Sequence, residues 1–257
     1  MQRNFLVGAW LVTGLVLLVS CGTTRSPYAL SRVVPQRLEV TEVLDAHPDF
    51  EAATFLESYT AGVDSLRMPY IGRSAMYMRP HRPESLLSNW VADVYVEMGR
   101  RMGYEVDLGV CNMGGLRSAM PEGVVRQGHL INIAPFQNMF TVLSLRGSDL
   151  LELFANMAEA GGEGVSHGVE LVITMTGQLR TAHLNGEEID PARTYVVATL
   201  DYLANGNDKM VAFKKAFDRT DTTTPARDVL ADYLRALDTQ GEAATSVIEG
   251  RTVVVEP

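Results

Sequence analysis

The hydrophobic period of this chain switches repeatedly between the spacing of a helix and that of a strand. That alternation limits the fold more than any single motif does. ESLLSNWVADVYVEMGRRMG, residues 84 to 103, sets Leu87, Trp90, Val91, Val94, Tyr95 and Met98 on one helical stripe, with Gly103 as its stop. Helical spacing recurs in PDFEAATFLESYTAGVDSLR, residues 48 to 67, through Phe50, Ala53, Phe55, Leu56, Tyr59 and Val63. SDLLELFANMAEAG predicts a helix with Ser148 as N-cap and Gly161–Gly162 as its end, and ARDVLADYLRAL, residues 226 to 237, a last one. Strand-like runs lie between: IGRSAMYMR at 71 to 79, DLGVCNM, HLINIAPF, NMFTVLSL, TYVVATLDYL and RTVVVE. ELVITMT and QLRTAHL flank Gly177 as a hairpin. This order predicts an α+β (mixed α/β) fold, a layered domain around a mixed β-sheet. No internal repeat is present.

The first residues do not belong to that pattern. MQRNF is followed by LVGAWLVTGLVLLVS, an uncharged apolar run with the look of a bacterial export signal over residues 1 to 20. It ends LVSC. A small residue just before Cys21 resembles a lipobox, which implies cleavage and lipidation at Cys21; a simple transmembrane anchor is the alternative. Either arrangement puts the body outside the cytoplasm, in the bacterial cell envelope, on the periplasmic or surface side of a membrane. Residues 21 to 39 are polar, proline-punctuated and aperiodic, so they read as a tether, and residues 40 to 257 as the domain.

Composition narrows the function. With a net charge of −9 and no clustered Lys and Arg, the chain lacks the basic face of a nucleic-acid binder. If Cys21 carries lipid, Cys111 has no partner in the chain; its apolar surroundings suit packing better than reaction. None of the five histidines is spaced i, i+4 from another. Asp45-Ala46-His47 is a fragment seen in two-metal phosphatases, but no Gly-Asn-His or His-x-His run accompanies it, and its place before Pro48 fits a cap or turn. No metal site is therefore expected, and no catalytic residue: there is no Gly-x-Ser-x-Gly elbow, and Gly114–Gly115 matches neither phosphate-loop spacing.

What remains is three strand ends with unusual residues. Asn112, Gly114, Gly115 and Arg117 follow one, Pro135 to Asn138 interrupt another, and Asp201, Tyr202 and Asn205 to Asp208 follow a third. Aromatics, amides, an Arg and an Asp suit a flat polar ligand: rings stack on a base, amides read its edge, and a carboxylate accepts from sugar hydroxyls. Plain turns are the alternative.

These segments resemble the C-terminal domain of the 5′-nucleotidase family. NMGGLR, residues 112 to 117, resembles its Asn-x-Gly-Gly-Ile-Arg motif, and PFQN its Pro-Phe-Gly-Asn. ESLLSNWVADVY, LSLRGSDLLELF and RTYVVATLDYLANGNDKM resemble three further signatures in the same order, so the resemblance covers about residues 40 to 257. It implies a domain that binds the nucleoside part of a nucleotide. Phe136 and Tyr202 match the two rings that sandwich the base, Asn138 the amide at its edge, Asp208 the ribose-binding carboxylate and Arg117 a substrate-site arginine. Gly162, with Gly161 or Gly164 as alternatives, matches a glycine in the loop after the 148–160 helix. Arg82, with Arg79 as alternative, matches an upstream arginine. Departures lie at Tyr202 in place of Phe, and at Asn207 and Lys209 in place of glycines.

Family enzymes also carry a metallophosphatase domain, for which this sequence offers no counterpart. The expectation is the substrate-recognition half of a split 5′-nucleotidase or UDP-sugar hydrolase-type phosphohydrolase, working in nucleotide catabolism with a separate metallophosphatase chain. No cofactor is expected in this chain; divalent metals are expected in that partner. The expected partners are a nucleoside or nucleotide, the metallophosphatase, and a membrane through the lipid anchor, with no nucleic acid. The alternative is a non-catalytic nucleoside- or nucleotide-binding envelope lipoprotein.

Overall fold

The computed structural model describes residues 31 to 257 except 38 and 47. The signal at 1 to 20, Cys21, most of the tether, and His47 of the Asp-x-His fragment therefore lie outside the described residues. The chain divides into two units, residues 1 to 53 and 54 to 257. In the first, Glu42–Ala46 forms a single 3₁₀ turn, so Asp45 sits in a turn as expected. Asp49 then accepts from the backbone N–H groups of Glu51 and Ala52, which caps the helix α1, Phe50–Arg67. The helical spacing read from the sequence is real, yet α1 has no buried side chain.

The second unit is built on three sheets. The strands are β1 Tyr70–Ser74, β2 Leu108–Cys111, β3 Gly123–Arg126, β4 Met139–Arg146, β5 Gly164–Val165, β6 Val169–Thr174, β7 Leu179–Leu184, β8 Glu187–Glu188, β9 Thr194–Leu200, β10 Phe217–Pro225 and β11 Thr252–Val255. The central sheet runs β10-β4-β9-β2-β5, the second β11-β6-β7-β8, and β1 pairs with β3 alone. In the central sheet β2 and β9 are parallel while β4 and β10 are antiparallel to their neighbours, so the sheet is mixed, as expected. β6 and β7 form the antiparallel hairpin around Gly177.

Helices cover these sheets because their apolar stripes require it. In α2, Leu86–Arg101, all six residues of the predicted stripe are buried, and the helix packs on β2, β5 and β9. Its start is a capping box between Ser85 and Ser88. The helix α3 is Gln127–Ile133. The helix α4, Gly147–Glu159, buries Leu150, Leu153, Phe154 and Met157 and touches both β4 and β7, so it joins the two larger sheets. After β9 the short helix α5, Asp201–Ala204, turns the chain, and α6, Ala226–Thr239, packs on β1 and α2.

The structure corrects four local expectations. HLINIAPF is not a strand: residues 127 to 133 form α3, with Leu130 and Ile133 buried three residues apart and Arg126 N–H donating to His129 Nδ1 at the entry. Packing of that face overrides the β-preference of its isoleucines. Ser148 is not the N-cap of α4. The helix opens at Gly147, and the N–H groups of Gly147 and Ser148 donate to the carbonyls of Arg193 and Pro191 (2.7 and 3.1 Å), so backbone does the work of a side-chain cap. The 71–79 strand stops at Ser74, where the Ser74 hydroxyl donates to Met76 O and folds a turn. The run TYVVATLDYL leaves the sheet at Leu200, and its last residues coil as α5.

Candidate functional site

The topology brings three strand ends to one place. β2 and β9 are parallel neighbours, so Cys111 and Leu200 end side by side. β4 runs antiparallel to β9, with Phe140 opposite Leu200, so β4 begins where the other two finish. The loops after β2, before β4 and after β9 therefore share one edge of the central sheet. They enclose a cavity of about 320 Å³ lined by Asn112, Gly114, Gly115, Arg117, Phe136, Asn138, Tyr202 and Asp208. That volume lies at the lower end of small-molecule sites, roughly 300–1,000 Å³. Of the seven residues that sequence reading assigns to a ligand, it gathers Arg117, Phe136, Asn138, Tyr202 and Asp208.

Cross-links fix these loops to one another. Arg117 N–H donates to Ile133 O (2.8 Å), which ties the turn after β2 to the end of α3, three residues before Phe136. Ala226 N–H donates to Asn138 O (2.9 Å), which pins the other end of that loop to the start of α6. The Asn112 amide donates to Asp208 Oδ2, and the Tyr202 hydroxyl donates to Asp208 Oδ1 (2.9 Å). Asp208 is thus held through both of its oxygens where it lines the cavity. The hydrogen bond to Asp208 raises the Tyr202 pKa, so Tyr202 remains a donor at neutral pH.

The aromatic walls are partly open: Phe136 is 51% and Tyr202 37% exposed, which leaves ring face free to meet a ligand. Asn112, only 4% exposed, is structural floor by comparison.

Met113–Gly115 forms a 3₁₀ turn. Its two glycines serve different ends. A Cβ on Gly115 would lie 2.6 Å from Asn112 Oδ1, so this position must be glycine for the Asn112 amide to reach Asp208. A Cβ on Gly114 would lie 3.6 Å from Asp208 Oδ2, an ordinary contact. Arg117 Nη1 donates to Gly114 O (3.3 Å) and is otherwise open to solvent at the cavity mouth.

The loop after α5 takes an unusual backbone path. Positive φ falls on Gly206, Asp208 and Lys209 (78°, 52° and 65°), not on Asn207. Asn207 instead donates its amide to Tyr202 O (2.8 Å). The departures at 207 and 209 therefore leave the loop closed on Tyr202 and Asp208.

Gly162 and Arg82 stand outside the cavity lining, as does the alternative Arg79. Gly162 has φ 100°, and a Cβ there would lie 2.6 Å from Pro83 O; it is glycine because two backbones meet. Arg82 pairs with Glu163, whose other oxygen accepts from Met113 N–H. Glu163 is 2% exposed, and burial raises its carboxyl pKa against the opposing pull of Met113 N–H and Arg82. It anchors the glycine turn from behind. Sequence reading missed it, since one Glu inside GGEG carries no local mark of burial. Cys111 is buried, its thiol pKa raised by desolvation, and donates weakly to Ser88 O (3.6 Å).

The chain is thus a mixed α/β domain with a partly aromatic, polar-edged cavity at one end of its central sheet. Comparison with known proteins makes the class specific. Residues 66–215 match the family model described as 5′-nucleotidase, C-terminal domain, and the chain belongs to that family. The crystal structure of a 5′-nucleotidase precursor from Thermus thermophilus superposes with a TM-score of 0.71 at 25% identity, over 81% of this chain and 44% of that one. Endonuclease YhcR of Bacillus subtilis is 25% identical over 81% of this chain, and cell wall protein Lmo0130 of Listeria monocytogenes 28% over 66%. The chain spans only 17% and 24% of the length of those two relatives.

Proposed function

We propose that this domain holds the nucleoside part of a nucleotide while a separate metallophosphatase chain hydrolyses the phosphate ester. One observation carries the reading: the fold gathers two open aromatic faces, an amide, a doubly held carboxylate and an arginine around a single cavity. Phe136 and Tyr202 stack on the base, Asn138 meets its edge, Asp208 accepts from ribose hydroxyls, and Arg117 at the mouth faces the phosphate side. The contribution of these residues would be positioning: they would hold the substrate in a fixed orientation, and the divalent metals of the partner would supply the hydrolytic chemistry. The cavity lining contributes one carboxylate and no His or Cys, a set suited to sugar and base rather than to a two-metal centre.

Location supports the pairing. The apolar leader and Cys21 fit a lipid-anchored protein of the cell envelope, and one relative carries the name of a cell wall protein. Stable attachment needs more than one acyl chain, which lipidation at such a cysteine provides.

Base stacking contributes about 1–3 kcal/mol, and a dissociation constant of about 1 mM corresponds to about −4 kcal/mol. Stacking with two or three hydrogen bonds then gives high-micromolar affinity, which suits a substrate. Calorimetry with adenosine, AMP and a UDP-sugar tests this. Phe136→Ala and Tyr202→Ala are each expected to weaken binding about tenfold or more; unchanged affinity in both would remove the cavity from consideration. Hydrolysis is expected only when a metallophosphatase is added. Robust turnover by this chain alone with Mn²⁺ or Zn²⁺ would sink the split arrangement, and binding with no partner able to turn over the ligand would favour a stand-alone nucleoside-capture protein.

A further inference from the structure

α1 leaves an apolar stripe uncovered. In the part of the helix that belongs to the second unit, Phe55, Leu56, Tyr59, Val63 and Leu66 are each between 48% and 68% exposed. No side chain of α1 is buried. The polar links to the rest of the unit lie at its C-terminal end, where Arg67 Nη2 donates to Asn132 Oδ1 (3.2 Å) and Arg126 Nη1 to Met68 O (2.7 Å). Helices of this length are marginal in water by themselves and owe their stability to the burial of one face. α1 gains none of that from the described residues of its own chain. Gly62 deepens the deficit, because a glycine in mid-helix weakens the helix. A Cβ there would meet nothing within 4 Å, so packing inside the chain does not call for glycine. The position lies three residues after Tyr59 and four before Leu66, at the border of the stripe. Bare backbone there lets another helix come close.

The spacing says what kind of surface fits. Leu56, Tyr59, Val63 and Leu66 follow one another at intervals of three, four and three residues, the 3.5-residue average of a two-helix seam. Phe55, Thr60 and Gly62 flank that seam without charge, and Phe55 lies against Tyr59 with ring centroids 5.5 Å apart. At 100° per residue, Glu57 and Asp64 fall on the far side of the helix. An anionic membrane surface is a poor cover, since α1 carries Glu51, Glu57 and Asp64 against Arg67 alone. A second copy of the same stripe covers the seam and leaves Glu57 and Asp64 in water.

We propose that α1 is a self-association surface, through which two copies of this chain pair along the Leu56–Tyr59–Val63–Leu66 seam about a two-fold axis. The proposal does not depend on the nucleoside reading of the cavity. An 18-residue helix is about 27 Å long. A pair of that length sits near the lower limit of a specific interface, roughly 1,000 Å². The dimer is therefore weak, with a dissociation constant on the order of 10 µM.

The experiment is sedimentation equilibrium on the full chain in density-matched detergent, from about 1 µM to 1 mM. The native protein is expected to pass from monomer to dimer across that range. Leu56→Glu with Val63→Glu places charges in the seam and is expected to weaken association at least tenfold. Glu57→Lys, a charge change on the far face, is expected to leave it within about twofold. The substituted side chains are exposed in the single chain, so urea melts of the monomer are expected to stay unchanged; that separates a lost interface from a lost fold. A native chain that stays monomeric throughout overturns the proposal, also where the seam variant then loses binding to lipid vesicles or to a metallophosphatase. Undiminished association of the seam variant overturns it as well, by placing the contact elsewhere.

Discussion

Tyr202 shows how one atom sets the behaviour of this pocket. Where the resembling family has Phe, the added hydroxyl donates to Asp208 Oδ1, and Asn112 donates to Oδ2. The ring remains available for stacking while the hydroxyl holds the carboxylate at a fixed angle. Tyr202→Phe keeps the ring and removes only the hold. It is expected to weaken adenosine binding about fivefold, the worth of one hydrogen bond of about 1 kcal/mol, and to leave 2′,3′-dideoxyadenosine unaffected. Calorimetry with both ligands checks this; an equal loss for both would assign the hydroxyl to ring placement instead. The residues of the pocket were legible as motifs because they cluster after strand ends. The bond between Tyr202 and Asp208 was not, since their spacing in sequence says nothing about the positive φ at Asp208 and Lys209 that turns the loop back.

Among the elements, those with a complete apolar stripe were read correctly and those shaped by neighbours were not. α2 and α6 bury one face each, and their periodicity announced it. β10 was missed. Its FDRTDTTTP is polar and largely exposed because it is an edge strand, with bulges where its register to β4 shifts. α1 has the opposite lesson: Phe55, Leu56, Tyr59, Val63 and Leu66 lie at helical spacing, yet all are exposed. Periodicity reports a helix and is silent about what covers it.

The segment from Gly162 to Glu163 joins three elements at once: the Arg82–Pro83 stretch, the end of α4 and the glycine turn after β2. Its stability carries a pH signature. Burial raises the Glu163 pKa above its ordinary 4.5, so the folded state holds that proton more tightly than the unfolded state does. Its contribution to stability is then greatest in acid and declines as pH rises from the unfolded value through the raised folded one. Urea melts of the native chain and Glu163→Gln, compared from acidic to neutral pH, are expected to show native stability falling relative to the variant. A difference that is flat or grows with pH would mean the ion pair with Arg82 outweighs desolvation.

At the scale of the whole molecule, the proposed attachment and the proposed recognition fall on separate parts of the chain. The pocket residues lie between 112 and 208, far in sequence from Cys21. Cys21→Ser is therefore expected to move the protein from the membrane fraction to the soluble fraction without changing nucleoside affinity; retention in the membrane with no lipid label would indicate a transmembrane anchor. By itself the sequence determined the layered α/β class, the strong helices and the family motifs, because these depend on local periodicity and on short runs of residues. Only the tertiary structure decided that β4 begins where β2 and β9 end, and so that residues from three distant segments share one cavity. It also decided that Gly162 and Arg82 belong to the support behind the glycine turn rather than to the cavity wall. Strand order, close backbone approach and the burial of single polar groups arise from contacts between segments far apart in the chain, and no local pattern encodes them.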